Sequence, residues 1–202
     1  MMERHIVLVG DSIFDNDTYV LGQPGVIEQM RRALPQGWSA FKVAVDGACI
    51  RHVSEELDHV PSHATDLIIS IGGNDARQYR YLIDRIKSPS DIPEHLKEPL
   101  ANFRTEYSDM LDLVSMLGGN LHVCTIYTAI PFSEPLWRLH APAAIGAFNE
   151  VIVDEADRRN IPVIRLEEVC TEPDDFAAVS PIEPSVQGGQ KIVDKILGIL
   201  AA

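Results

Sequence analysis

The sequence predicts an α/β protein, a three-layer α/β/α sandwich around a doubly wound, five-stranded parallel sheet. Short, nearly continuous apolar runs alternate five times with segments of helical periodicity, as expected when strands are buried on both faces of a parallel sheet. The runs end abruptly in turn residues, Gly10-Asp11-Ser12, Asp46-Gly47 and Gly72-Gly73-Asn74-Asp75 among them. The chain has 202 residues, 46% hydrophobic and 23% charged. That is ordinary for a globular protein, enough for one sizeable core and short for two, so residues 1–202 are expected to form one domain.

The first strand is the run through Val7-Leu8-Val9, which stops at Gly10. Val26, Ile27, Met30, Ala33 and Leu34 mark one helix face, closed by Pro35. A second strand is expected from Ala40 to Val45, then a helix carrying Ile50, Val53, Leu57 and Val60. Leu67 to Ile71 reads as the third strand. A long connection from Ala76 to Pro99 precedes a helix from about Leu100 to Leu117, ended by Gly118-Gly119. The fourth strand is placed at Leu121 to Tyr127 and a Pro-rich loop at Ala129 to Pro142. A helix from about Ala143 to Arg159, a fifth strand from Ile161 to Leu166 and a last helix from about Val186 to Leu200 complete the chain. Right-handed crossovers give the flavodoxin-like strand order 2-1-3-4-5, in which ligands bind at the carboxyl ends of the strands. Ser12, Gly47 and Asn74 each follow such an end, so they are expected to be neighbours in space.

The formal net charge of −13 repels phosphate backbones and anionic lipid surfaces, which argues against a nucleic-acid or membrane partner. No apolar run approaches the roughly 18 residues that span a bilayer. Cys49, Cys124 and Cys170 sit in apolar surroundings without metal-type spacing, which reads as reduced core thiols. Met1-Met2-Glu3-Arg4-His5 leads into the first strand without a secretory signal pattern. A cytoplasmic protein is expected, with no cofactor and no metal. Its oligomeric state is open.

Acyl transfer to a serine needs a nucleophile, a base and donors for the oxyanion. A serine just past a buried strand suits the first role; a helix N-cap is its plainer use. A glycine lets backbone approach a substrate, and an asparagine amide stays a donor at any relevant pH. Gly-Asp-Ser at Gly10–Ser12, a glycine at Gly47 and Gly-Gly-Asn-Asp at Gly72–Asp75 resemble the successive blocks of the SGNH/GDSL hydrolases. The resemblance covers essentially the whole chain. It implies Ser12 as nucleophile, with the Ser12 N–H, the Gly47 N–H and the Asn74 amide as the oxyanion hole. It also implies an Asp-x-x-His pair before the last helix, where this chain has Ser180-Pro181-Ile182-Glu183-Pro184. Ser180 stands in the slot of the aspartate and Glu183 in that of the histidine.

The expected activity is hydrolysis of a small ester with a non-standard base. Glu183 is the first candidate base, through a raised pKa; His52 and His140 are the others. Asp11 reads as a turn residue, and Asp11, Asp75, Phe132 and Trp137 are expected to border the substrate. Two further readings stand beside this one. The same platform would bind an ester or carboxylate without hydrolysing it, or Asp11, Asp46, Asp75 and Glu183 would hold Mg²⁺ for phosphate-ester hydrolysis.

Overall fold

A computed structural model describes residues 3–201. Five parallel strands form one sheet in the order β2-β1-β3-β4-β5: β1 Arg4–Gly10, β2 Trp38–Lys42, β3 Asp66–Ser70, β4 Asn120–Cys124 and β5 Val163–Ile164. This is the architecture and strand order expected from the alternating runs. Ile6 to Val9 are fully buried, because side chains alternate across the sheet and both faces are covered. Val7, Val9, Leu67 and Ile69 face a layer that includes α2 (Val53–Leu57), α5 (Lys97–Ser115) and α6 (Pro135–Asp157). Ile6, Leu8 and Ile68 face the opposite layer of α1 (Val26–Ala33) and α7 (Val186–Leu200).

Several elements differ from expectation for identifiable reasons. β2 is two residues early and ends at Lys42, yet the chain still follows β1. The N–H groups of Val43 and Ala44 both donate to the Leu8 carbonyl, and Val45 N–H donates to Gly10, so pairing continues without a regular ladder. The connection after β3 holds α3 (Gly73–Gln78), a 3-10 segment over Arg80–Arg85 and α4 (Ile92–His95). The apolar residues after β4 belong largely to α6, which begins at Pro135. Proline is well tolerated at a first helical turn, and Pro142 sits inside the helix. A short antiparallel hairpin, β6 (Phe176–Ala177) and β7 (Ser180–Pro184), was not expected.

The register brings Gly10 level with Ser70, so β1 and β3 end flush. They are also where the strand order reverses, the place where such sheets form ligand crevices. Gly10 lies at φ +127°, and a Cβ there would stand 1.9 Å from the Ser70 carbonyl oxygen. Gly10→Ala should therefore cost at least ~2 kcal/mol, from strain and displacement of β3. Gly146, on α6 with open space around it, is the control; its change to alanine should be neutral or stabilise by ~0.5–1 kcal/mol. Urea unfolding of the two variants checks both values, and a Gly10→Ala protein of full stability would contradict the packing described.

Candidate functional site

The turn after β1 is held mainly by backbone. Asp11 N–H donates to the Ser70 carbonyl (3.0 Å), and the Asp11 carbonyl accepts from Phe14 and Asp15 (both 3.1 Å). The Asp11 side chain accepts from Ile13 N–H (3.1 Å). Ser12 is left 7% exposed, and its own N–H has no hydrogen-bond partner among the described residues. Behind the turn, Gly10 N–H donates to Glu56 Oε2 (2.7 Å). Asn74 lies in the first turn of α3, and one of its amide hydrogens goes to the Ala48 carbonyl (2.9 Å).

Glu183 comes to the same place from β7. Its strand is fastened on both sides of it: Tyr127 donates its hydroxyl to the Ile182 carbonyl, and Asn16 Nδ2 donates to the Pro184 carbonyl (3.0 Å). Prolines at 181 and 184 favour the extended chain that this pairing needs. With its neighbours fixed, the Glu183 side chain has little choice of direction. It is 4% exposed, and its Oε2 has no hydrogen-bond partner among the described residues. Burial pushes its pKa up to about 7; the nearby Ser12 hydroxyl restrains the rise, Asp46 adds to it and Arg77 opposes it. The hydroxyl and the carboxyl are neighbours without a well-formed hydrogen bond between them.

Asp11, Ser12, Asn74, Ser180 and Glu183 line one cavity of about 400 Å³. Phe132 and Trp137 line its wall, with their rings edge-to-face at 5.3 Å. Asp11 is buried and its pKa is raised well above the ordinary carboxylate range, by desolvation first and by Glu183, Asp75 and Glu56 as well, while Ile13 N–H opposes the shift.

Not every expected residue arrives there. Asp75 turns its carboxyl to Ile50 N–H (3.2 and 3.3 Å), away from the cavity, and burial raises its pKa to about 6. Gly47 lines a separate recess of about 310 Å³ with His52 and Glu56; the turn that carries it (Ala48 N–H to Val45, 3.0 Å) is tied to the site through Asn74. Among the described residues no histidine lines the Ser12 cavity. His52 Nδ1 accepts from Cys49 N–H (2.9 Å), and His140 is buried within α6. Asp46 accepts from the Tyr19 hydroxyl (2.8 Å) in an exposed loop. No group of three or more His, Cys, Asp or Glu side chains among the described residues is arranged to hold a metal ion. The three cysteines are free and buried, and burial raises each thiol pKa, Cys170 to about 12.

The family model for GDSL-like lipases and acylhydrolases matches residues 8–191. The chain belongs to that family. The fold agrees with solved structures of low sequence identity. The lipase Lip_vut3 from a goat rumen metagenome is 20% identical with a TM-score of 0.73, over 98% of this chain and 97% of that one. A lipase/acylhydrolase from Enterococcus faecalis is 20% identical, TM-score 0.68, over 98% and 95%. The acetyl xylan esterase AlAXEase is 14% identical, TM-score 0.67, over 97% and 99%. No curated protein sequence is similar enough to match. Among the described residues no helix is long and apolar enough to cross a membrane.

Sequence reasoning missed Glu56, although a signal was present. It falls between Val53 and Leu57 on the apolar face of α2, where a charged residue needs a partner; the partner is Gly10 N–H. Its other oxygen, Oε1, has none among the described residues, and desolvation raises its pKa to about 7 despite the Gly10 bond. Such a carboxyl holds its proton in the folded chain where the unfolded chain has lost it. It therefore contributes stability that is complete below its unfolded pKa and is lost as pH rises through the folded value. Glu56 and Glu183 place that window between about 4.5 and 7, and Asp75 adds one from 3.8 to about 6. Stability should fall over this range. Glu56→Gln, which keeps an acceptor for Gly10, should flatten the fall by roughly 3 kcal/mol at most. Urea unfolding across the window checks this, and identical slopes in the variant and the wild type would contradict it.

Proposed function

We propose that this protein is a serine hydrolase that cleaves a small ester through an acyl-Ser12 intermediate, with Glu183 as the general base. One observation carries the reading: an unpartnered, buried Glu183 carboxyl oxygen in the same cavity as Ser12 and Asn74. A glutamate at its usual pKa of about 4.3 is too weak a base for a hydroxyl, and desolvation brings this one towards neutral, where proton transfer works in both directions.

As the Ser12 oxygen attacks the ester carbonyl, ionised Glu183 takes the hydroxyl proton. The carbonyl oxygen gains negative charge and accepts from the free Ser12 N–H and from the second hydrogen of the Asn74 amide, the first being held by Ala48. Gly47, on the neighbouring recess, is not one of the donors in this reading. The Glu183 proton then passes to the departing alkoxide, leaving an acyl-serine. Water repeats the sequence: Glu183 takes its proton, the water oxygen attacks the acyl carbon, and the proton returns to Ser12 as the acid leaves. Asp11 directs its carboxylate to Ile13 N–H and takes no part in this transfer. The partner is a small-molecule ester rather than nucleic acid or membrane, and the setting is the cytoplasm.

A second reading, a binding protein that holds an ester or carboxylate without cleaving it, is favoured by the absence of the Asp-His pair at 180 and 183. Hydrolysis of p-nitrophenyl acetate separates the two. Activity should rise with pH through a single ionisation near 7, the value set for Glu183. Ser12→Ala should abolish it, Asn74→Ala should lower it about 10²–10³-fold, and Glu183→Gln should remove both the rise and most of the rate. Ser180→Asp with Glu183→His should restore part of the rate by supplying an oriented imidazole. Wild-type turnover by Ser12→Ala, or full activity in Glu183→Gln, would overturn the mechanism.

A further inference from the structure

Most of the wall of the Ser12 cavity is apolar. Ile83 and Leu96, from the segment after α3, and Ile126, Ala144 and Phe148 line it beyond the polar end. At about 400 Å³ it lies in the range that encloses a small molecule, and an acetyl group would leave much of the apolar lining uncovered. Each methylene buried there is worth roughly a fourfold gain in affinity.

Two cations share this cavity, Arg77 on α3 and Arg80 just after it, both exposed at its mouth. Neither guanidinium has an ion-pair partner among the described residues; the ion pairs of the chain lie elsewhere. This arrangement is notable in a chain with 17 basic and 30 acidic residues, where an acidic side chain could readily have neutralised them. Arg77 is close enough to the reactive end to act on Glu183. The two carboxyls that line the cavity, Asp11 and Glu183, are buried at its polar end, whereas the arginines are exposed at its mouth, so theirs is the charge that an entering molecule meets first.

Resting on the reading of this cavity as an acyl-transfer site, we propose that the substrate is an acidic amphiphile: an ester of a medium-length apolar acyl group whose alcohol portion carries an anionic group. The acyl chain lies along Ile83, Leu96 and Phe148, the scissile carbonyl sits at Ser12, and the anion stays at the mouth with Arg77 and Arg80. The arginines act here by charge at an exposed rim, so the preference they confer weakens as salt is added.

Binding tests this without turnover. The Ser12→Ala protein is titrated with 4-octanoyloxybenzoate, with its neutral counterpart 4-octanoyloxybenzamide and with 4-acetoxybenzoate, read by calorimetry and by the fluorescence of Trp137, which lines the cavity. The octanoyl anion should bind about tenfold tighter than the amide and at least a hundredfold tighter than the acetyl anion. Arg77→Gln with Arg80→Gln, added to Ser12→Ala, should erase the tenfold preference and leave affinity for the amide unchanged. Equal binding of anion and amide, equal binding of octanoyl and acetyl anions, or a preference that survives loss of both arginines would overturn the proposal. Failure of the hydrolytic reading shows separately, as a wild-type protein that binds these esters in the expected order and never cleaves them.

Discussion

The close approach of β1 to β3 at Gly10 and Ser70 governs the rest of the site. The backbones meet so tightly that no side chain fits at residue 10, and the Ser70 carbonyl takes the Asp11 N–H. This makes the chain turn at once, so Ser12 emerges at the end of the sheet instead of continuing a strand. The flush end of β3 places α3 and Asn74 at the same level. Glu56 secures the turn from behind by accepting the last N–H of β1. The position of Ser12 thus depends on a backbone contact and one buried carboxyl, neither of which takes part in the proposed proton transfer.

Electrostatics at this end of the sheet follow from desolvation more than from charge pairing. Asp11, Glu56, Asp75 and Glu183 are all buried, and burial is the largest cause of each upward shift. Glu183, Asp75 and Glu56 add to the upward shift of Asp11. The contrast lies in the remote pairs: Glu155 is held below its usual range, with Arg104 and Arg159 against it outweighing burial, and Asp175 likewise by Lys191. Those carboxylates serve packing. Of the unpaired ones, Asp11 and Glu183 line the cavity, where a proton that can be taken and returned is useful.

Much of this was legible in the sequence. The five apolar runs gave the sheet and its order because parallel strands buried on both faces leave an unmistakable pattern. The turn residues after β1 and β3 gave Ser12 and Asn74 because the topology allows only one place for them. Glu183 was legible by its slot before α7. Where prolines carried the reading, the boundaries failed: α6 begins at Pro135, where the first helical turn needs no N–H, and passes through Pro142 despite the hydrogen bond that an interior proline removes. Side-chain direction was not legible either. Asp75 and Asn74 are adjacent, yet one turns to Ile50 N–H and the other lines the cavity, a choice made by contacts some 25 residues away in the chain. Gly47 lines the neighbouring recess, although Asn74 holds the carbonyl of the next residue, Ala48.

Covalent labelling by a fluorophosphonate distinguishes a Ser12 activated by Glu183 from an idle one, since that reaction requires an activated serine and no assumption about the natural substrate. The rate of labelling, followed by intact mass and mapped to Ser12, should rise with pH through one ionisation near 7, and Glu183→Gln should label slowly with no such rise. Absence of labelling at Ser12 at any pH, or a Glu183→Gln protein that labels at the wild-type rate with the wild-type profile, would contradict the account.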